Sequence, residues 1–431
     1  MQYRWVILSL VFLTYMVNFA DRVNIGIVLP VLREDLLLTN LAAGSLVSAF
    51  YLGYGISQLP AGLWISKYGT RTLGCVALVG LSTFTYLIGL ANSANIVRFL
   101  RFALGVFEGP IPVGSATVIK NWYPRNEQAI ATGFFSAAGV CGQIVVPPLA
   151  VWIMLEYGWR TVFYWFAVPG FLLALLWYLL AHNCPEESPY CQLQELEYIS
   201  QQAVATLTEK TGVEAHNLLT RTIDMVIKRR SVSVISQKRL VFSSKNIIGI
   251  TLAFFFIGFV SLGMLAWLPA YLVDAKGYSL TTMGWVAASQ PLGGLLGCIC
   301  GGYISDRWLY RRRKPNLLLT PLAMLVMMYA LMNVPQNTSL LSGFLFLTGF
   351  FLYLAWSCYF AYPMLITTGE TYPVAIALMT SVGNLGGFFS PMAAGFLLDT
   401  YNNYNAVFLF FAFCAFASFV SACIIDEPLE E

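Results

Sequence analysis

The chain has 431 residues, of which 58% are hydrophobic and only 10% are charged, whereas about a quarter of the residues in a soluble domain are charged. A chain of this composition cannot cover a water-facing surface with polar groups, which excludes a soluble globular protein. The net charge is only +3, and no basic stripe interleaved with stacking aromatic residues occurs, which argues against a nucleic-acid partner.

Twelve apolar stretches of the sequence are long enough to cross a membrane, because a spanning helix needs about 20 mostly apolar residues. The first stretch starts close to Met1 and is far too long for the apolar core of a signal peptide. Several stretches contain glycine or proline, which spanning helices tolerate where neighbouring helices satisfy the freed backbone groups. The sequence therefore predicts an all-α polytopic membrane protein with spans at residues 5–31, 39–65, 71–91, 95–120, 127–155, 160–182, 247–273, 280–304, 316–334, 339–366, 371–398 and 404–425.

One long polar segment, residues 183–246, separates the first six predicted spans from the last six. It predicts an N-terminal six-helix bundle at 1–182, a cytoplasmic linker at 183–246 and a C-terminal six-helix bundle at 247–431. Lysine and arginine concentrate in the loops on the linker's side of the membrane, and such residues mark the cytoplasmic side. We therefore expect both termini in the cytoplasm, a solvated linker, and membrane lipid around the spans.

The two halves of the sequence contain an internal repeat. Each half has a similar glycine- and serine-containing sequence after its second span and a Tyr-Pro pair before its fifth span. Within the fifth and eleventh spans, the matching residues share one constant offset: Gly139, Gly142 and Pro147 in the first half, and Gly383, Gly386 and Pro391 in the second. Such a repeat predicts two bundles around a pseudo-two-fold axis, with a binding site near the membrane midplane and transport by alternating access.

Four charged residues lie inside predicted spans, namely Asp21, Arg22, Arg101 and Glu108. An ionised side chain there costs on the order of 2.5–3.5 kcal/mol. Arg101 and Glu108 are seven residues apart, which places them on one helix face about 10 Å apart along the axis. Arginine keeps its charge and matches a carboxylate, whereas a carboxyl group can bind and release protons. We therefore expect Arg22 and Arg101 to attract a small organic anion and the two acids to carry protons.

A static buried ion network is the alternative interpretation of these charges, because the four sum to zero. Three polar residues in other predicted spans are further candidates for substrate contact: Tyr54, Gln143 and Asn384. For Tyr54, ordinary packing of an aromatic ring is an equal alternative.

The sequence lacks the motifs that other functional classes require. Neither HExxH nor GxSxG occurs, and no P-loop is present, so an enzyme and an ATP-driven pump are both unsupported. The nine cysteines are scattered mostly through apolar segments, and with only two histidines no metal-ligand spacing appears. We therefore predict neither a metal nor a cofactor.

The loop after the eighth predicted span resembles the cytoplasmic gating motif of the major facilitator superfamily, and the resemblance extends over essentially the whole chain. The resemblance implies gating roles for four residues: Lys67, Arg71, Asp306 and Arg307. The first copy of the motif departs from the family pattern, with Ser66 in place of the usual acidic residue and Lys67 in place of the usual arginine.

A narrower resemblance, to the anion:cation symporter branch of this superfamily, rests on several short motifs. They are Asn18-Phe19-Ala20-Asp21-Arg22-Val23-Asn24, Gln58-Leu59-Pro60-Ala61-Gly62, the run from Arg101 to Pro110, Asn121-Trp122-Tyr123-Pro124, Gly158-Trp159-Arg160, and Pro185-Glu186-Glu187-Ser188-Pro189. That branch includes bacterial transporters of hexuronate, galactonate and glucarate, in which the positions matching the four buried charges bind the anion and carry protons. Gly139 departs from the polar residue that sugar-acid members often have near this position.

The resemblance implies proton-coupled symport of a small carboxylate or sugar acid by a monomer. The short loop between the first two spans favours a protein of the bacterial inner membrane. Fold similarity does not fix the substrate, so the alternative is a proton-coupled exporter or a carrier of another small solute, such as an amino acid, a metal chelator or a drug.

Overall fold

The computed structural model describes residues 2–124, 127–205, 227, 229–309, 312–368 and 371–428. Its long apolar stretches are helical, as lipid requires, because a helix satisfies its backbone hydrogen bonds internally. The helices of the first half are α1 (Tyr3–Asp35), α2 (Asn40–Leu90), α3 (Ala94–Glu108), α4 (Pro110–Trp122), α5 (Gln128–Tyr157) and α6 (Trp159–Leu180), followed by a 3₁₀ turn (Pro185–Glu187) and α7 (Leu193–Ala205).

The second half follows the same plan after a short strand. Its elements are β1 (Arg229–Arg230), α8 (Lys238–Val241), α9 (Lys245–Asp274), α10 (Leu280–Ala287), α11 (Ser289–Tyr303), a π-helical turn (Ile304–Trp308), α12 (Lys314–Asn333), α13 (Thr338–Leu354), α14 (Trp356–Ile366), α15 (Tyr372–Tyr401), α16 (Tyr404–Ile424) and β2 (Glu427–Pro428).

Glycine and proline decide where the long helices break. The predicted second and third spans are the two parts of α2, which are separated at Gly69, where φ is +77°. The predicted fourth span is divided into α3 and α4 at Gly109, and α4 begins with Pro110. Proline is suited to the first position of a helix because its missing N–H would have no partner there.

Eleven helical stretches in the described part of the chain are long and apolar enough to cross a membrane. They correspond to eleven of the twelve predicted spans; the remaining one, residues 39–65, is the first part of α2. The fold is therefore the predicted all-α polytopic membrane architecture, with a span count close to the predicted twelve.

The chain divides into two compact units, and the predicted division into two bundles and a linker stays a prediction. The N-terminal unit comprises the described residues of Met1–Leu37 and Ala49–Val213, and the C-terminal unit those of Leu38–Ser48 and Glu214–Glu431. The first turns of α2 thus belong to the C-terminal unit. There Asp399 of α15 accepts hydrogen bonds from the backbone N–H groups of Asn40 and Leu41, at 2.8 and 2.7 Å.

In the N-terminal unit, α1 packs against α5 and α6. At the start of α1, this unit is contacted by Glu195 of α7. The Glu195 carboxylate accepts hydrogen bonds from the backbone N–H groups of Tyr3 and Arg4, at 2.9 and 3.0 Å. Glu195 therefore caps α1, because the first N–H groups of a helix have no partner within it. Part of the predicted linker is in this way fixed to the N-terminal unit.

In the C-terminal unit, α9 packs against α15 and α16, and α11 packs closely against α13. A methyl group added to Gly293 would lie 1.8 Å from the main-chain oxygen of Phe346, and one added to Gly297 would lie 2.1 Å from that of Phe350. Only glycine permits this approach of two helix backbones, as in other membrane helix pairs.

The chain end is fastened to the C-terminal unit by β1 and β2, which pair in parallel. Glu427 accepts hydrogen bonds from the backbone N–H groups of Arg313 and Lys314, at 3.1 and 2.8 Å. Burial raises the pKa of the Glu427 carboxyl, and these two hydrogen bonds oppose the shift.

The internal repeat corresponds to equivalent packing in both units. In the N-terminal unit, Gly139 and Gly142 of α5 make room for Phe19 of α1. In the C-terminal unit, Gly383 of α15 makes room for Phe254 of α9. Gly386 of α15 lies against the backbone of α9. The matched glycines therefore serve the same purpose, the close approach of the first and fifth helices of each unit.

Candidate functional site

The four charged residues predicted to form the site all lie in the N-terminal unit. Asp21 and Arg22 are on α1, while Arg101 and Glu108 are on α3. Asp21 and Glu108 are fully buried and Arg101 is 1% exposed. Since these helices are otherwise apolar, the charges are buried by the packing of their helices and must find partners inside the protein.

One direct ion pair joins α1 to α3. Arg22 Nε donates a hydrogen bond to Glu108 Oε1. Arg22 Nη2 also donates to Asn18 Oδ1 at 3.1 Å, one helical turn earlier on α1. Breaking a buried ion pair by removing one partner costs about 3–5 kcal/mol, so Arg22 and Glu108 depend on each other.

Asp21 and Arg101 interact differently from this pair. Arg101 Nη1 donates to the main-chain oxygen of Asp21 at 2.9 Å. The Asp21 carboxylate accepts instead from an amide, with Asn24 Nδ2 at 3.1 Å from Oδ1. Within the described residues, the four charges therefore make one ion pair and one hydrogen bond from a guanidinium to the main chain.

Several polar atoms of these residues are buried and have no hydrogen-bond partner among the described residues. They are Asp21 Oδ2, Glu108 Oε2, and Arg101 Nε and Nη2. Each such atom costs about 1–3 kcal/mol, and more when it belongs to a charged group. The two oxygens can take up protons, and the two N–H groups can donate to a carboxylate. The arrangement can therefore bind both an organic anion and protons.

Aromatic rings enclose the two guanidinium groups. The central carbon of Arg22 lies 4.4 Å from the ring centre of Tyr54, 4.8 Å from that of Phe19 and 5.6 Å from that of Phe50. The central carbon of Arg101 lies 4.8 Å from the same Phe50 ring. Desolvated contacts of this kind stabilise a cation by about 2 kcal/mol. Tyr54 thus packs directly against Arg22, and its contact with substrate stays a prediction.

The other two candidate substrate contacts lie on the fifth helix of each unit. Gln143 is buried on α5, directly after Gly142, which packs against α1. Asn384 is half-buried on α15 of the C-terminal unit, directly after Gly383. Both roles stay predictions.

The predicted gating residues lie at helix ends. Arg71 donates from Nε and Nη2 to the main-chain oxygen of Tyr178, at 3.0 and 2.7 Å. Lys67 is exposed, with its Nζ 5.2 Å from the centre of the Tyr68 ring. Arg307 is exposed in the π-helical turn, and the side chain of Asp306 lies outside the described residues. Their gating roles also stay predictions.

Motifs quoted for the family resemblance fasten helix ends within the N-terminal unit. Trp159 Nε1 and Arg160 Nη1 both donate to Asp35 Oδ2 at 3.1 Å, which ties the start of α6 to the end of α1. Trp122 and Tyr123 donate to main-chain oxygens near the end of α6 and the start of α1. These contacts hold the ends of α1 and α6 and do not involve the four buried charges.

Four residues that contact the charges were given no site role from the sequence, although three of them belong to a motif quoted for the family resemblance: Asn18, Phe19, Asn24 and Phe50. The two asparagines could have been found, because Asn18 precedes Arg22 by four residues and Asn24 follows Asp21 by three, the spacings of neighbours on one helix face. The two phenylalanines carry no such signal in an apolar span. Among the described residues no cluster of three or more metal-ligating side chains occurs.

The whole chain matches known transporters in sequence and in fold. The model of the Major Facilitator Superfamily matches residues 11–390. The chain belongs to the major facilitator superfamily. It is 28% identical over 430 residues to a probable galactarate/D-glucarate transporter of Escherichia coli K12, covering 94% of this chain and 91% of that protein. It is 27% identical over 447 residues to a probable galactarate/D-glucarate transporter of Bacillus subtilis, covering 99% and 92%.

As a superfamily member, this chain is an integral membrane transporter and not an enzyme. A solved structure, the D-xylose-proton symporter, shares the fold with a TM-score of 0.73 at 17% sequence identity, covering 98% of this chain and 97% of that one. The resemblance to sugar-acid transporters of the superfamily is thus confirmed.

Proposed function

We propose that this transporter performs proton-coupled symport of a small organic anion, a carboxylate or sugar acid, by alternating access. The observation that carries the proposal is the Arg22–Glu108 ion pair beside Arg101, whose Nε and Nη2 have no partner among the described residues. The printed names of the relatives, probable transporters of galactarate and D-glucarate, support an organic anion as the substrate.

Coupling follows from a competition for Arg22. Its guanidinium is held by the Glu108 carboxylate in the absence of substrate. A substrate carboxylate that binds to Arg101 and Arg22 takes the place of Glu108, which must then bind a proton because an unpaired buried carboxylate is costly. Substrate and proton are therefore bound together and released together, and Asp21 provides a second carboxyl with an unoccupied oxygen.

The membrane context is also part of the proposal. We place the protein in the bacterial inner membrane as a monomer. Both termini and the linker lie in the cytoplasm in this proposal, because lysine and arginine concentrate in the loops on that side of the membrane. A fluorescent protein fused after Glu431 should fluoresce in cells, and an alkaline phosphatase fusion at the same point should be inactive. An active phosphatase fusion contradicts the orientation.

Uptake driven by a pH gradient into proteoliposomes tests the function, with a panel of sugar acids and simple carboxylates beside amino acids. The unmodified protein should accumulate at least one anion, Arg101→Ala should lose uptake, and Glu108→Gln should retain exchange while losing gradient-driven accumulation. Asp35→Asn is the matched control, because Asp35 pairs with Arg160 at the exposed end of α1 and away from the buried charges. Driven accumulation by Glu108→Gln would contradict its role.

The second candidate is a proton-coupled exporter or a carrier of another small solute. It would be favoured if no anion were accumulated while an amino acid was, or if substrate efflux were coupled to proton entry.

A further inference from the structure

Aromatic rings surround the two arginines of the site in the N-terminal unit. Three rings lie within 5.6 Å of the Arg22 guanidinium, and Phe50 contacts the guanidinium of Arg101 as well. The ring contacts continue away from the arginines, where Tyr15 lies 5.1 Å from Phe19 between ring centres.

The Phe19 ring occupies space that a side chain of α5 would otherwise fill. A Cβ atom on Gly139 would lie 2.8 Å from Cε2 of Phe19, and one on Gly142 would lie 3.1 Å from its Cβ. At these two positions α5 therefore contributes no side chain, and an apolar ring faces Arg22 in their place.

The polar side chains closest to the arginines are partly engaged. Asn18 Oδ1 accepts from Arg22 and Asn24 Nδ2 donates to Asp21, while Asn18 Nδ2 and Asn24 Oδ1 are buried and have no partner among the described residues. A substrate hydroxyl that is buried without a hydrogen bond costs about 1–3 kcal/mol. Gln143, next to Gly142, is the polar side chain that α5 adds here. These three amide groups offer fewer partners than the several hydroxyls of a sugar acid require, because each hydroxyl both donates and accepts.

We propose that the N-terminal unit selects a carboxylate whose carbon body is apolar, aliphatic or aromatic, over a polyhydroxylated acid of the same charge and length. The carboxylate binds the free N–H groups of Arg101, and the body packs on Phe19, Phe50 and Tyr54. The inference rests on the proposed transport of an organic anion and narrows its substrate class.

Binding measurements with four probes test this selection: hexanoate and phenylacetate as apolar anions, and gluconate and galactarate as hydroxylated ones. Hexanoate and gluconate have the same charge and chain length. Dissociation constants from calorimetry on the purified protein should be at least about 100-fold lower for an apolar anion than for gluconate, the discrimination expected when buried hydroxyls are unpaired. Uptake into proteoliposomes should follow the same order.

Two variants assign the preference to Phe19. Phe19→Tyr keeps the ring and adds a hydroxyl, and Phe19→Asn replaces the ring with an amide, so both should reduce the preference for the apolar anion by about tenfold or more. Phe135→Leu is the matched control, because Phe135 stacks on Tyr15 at 3.9 Å, one ring further from Arg22. It should leave the ratio unchanged.

The outcomes separate this inference from the proposed function. If gluconate or galactarate binds as tightly as the apolar anions, the inference is wrong and organic-anion transport stands. If Phe135→Leu reduces the ratio as much as the Phe19 variants, Phe19 does not set the preference and the inference is equally wrong. If the protein neither binds nor takes up any carboxylate, the proposed function fails and the inference fails with it.

Discussion

Arg22 is the residue on which the site's geometry depends most. It holds Glu108 through Nε and Asn18 through Nη2, and its flat group lies against the Tyr54 ring. Only a planar group with several fixed donors can make these three contacts at the same time. A lysine ammonium is not planar and cannot make all three. The charge alone therefore does not account for the choice of arginine here.

Arg22→Lys is consequently expected to weaken anion binding although the positive charge is kept. Loss of one charge-assisted hydrogen bond costs about 1.5–3 kcal/mol, which raises the dissociation constant by about 10- to 100-fold. Calorimetry with the best anion from the uptake panel measures the change. Arg160→Lys is the control, since Arg160 makes a single ion pair at the surface. Equal affinities of Arg22→Lys and the unmodified protein would show that charge alone is sufficient.

At this scale the sequence identified the charged residues but not their pairing. Asp21, Arg22, Arg101 and Glu108 are identifiable because an ionised group inside an apolar span is costly and therefore rare. Which arginine meets which acid depends on how α1 and α3 are rotated against each other and on the side-chain rotamers, and the sequence fixes neither. Hence the contact of Arg101 with the main chain of Asp21, and not with its carboxylate, could not be predicted.

At the scale of single helices, small residues determine how closely the spans pack. The α11 and α13 backbones meet at Gly293 and Gly297, where any side chain would overlap with a carbonyl group. Lipid is as apolar as the helix surfaces, so burial from water does not drive these helices together as it does in soluble proteins. The attraction comes instead from close van der Waals contact between the helices.

Gly297→Ala should therefore destabilise the protein by about 1–3 kcal/mol, the usual effect of overpacking. Thermal unfolding of the purified protein, followed by size-exclusion chromatography, measures the loss as a lower midpoint temperature. Gly343→Ala on the partner helix α13 is the control, because nothing lies within 4 Å of its added methyl group. If both substitutions have the same effect, helix propensity and not close packing explains the glycine.

The start of α2 offers a second test at this scale, because Asp399 caps it within the C-terminal unit. Asp399→Ala should speed hydrogen exchange of the Asn40 and Leu41 amides by about fivefold, as expected for a cap worth about 1 kcal/mol. Asp274→Ala is the matched control, since Asp274 Oδ2 accepts from the Tyr404 hydroxyl at 2.9 Å and Asp274 lies on another helix, α9. Unchanged exchange in Asp399→Ala would show that the cap does not protect this turn.

Hydropathy predicted where most helices lie, because lipid demands long apolar stretches. It did not predict that α2 continues through two spans to Leu90 or that α3 ends at Glu108. The break inside α2 depends on the positive φ of Gly69, whereas α3 ends where Pro110, which has no backbone N–H, follows Gly109. Glycine and proline occur at other places inside the spans without interrupting them.

At the scale of the whole molecule, the sequence repeat predicted two similar units, and the equivalent packing of Gly139 and Gly383 agrees with it. The assignment of Leu38–Ser48 to the C-terminal unit could not be predicted, because no sequence boundary marks it. It depends on the tertiary contacts of these residues, among them the Asp399 cap. The attachment of the linker to the start of α1 through Glu195 could not be predicted either, since a glutamate in a polar segment is usually solvated.

The pH inside proteoliposomes shows whether anion and proton cross the membrane together. A trapped pH-sensitive dye is read while the best anion from the uptake panel is added outside, with no pH gradient imposed. The unmodified protein should acidify the interior as the anion enters, and Glu108→Gln should not. Anion entry without acidification, or an interior that becomes more alkaline, would contradict proton symport.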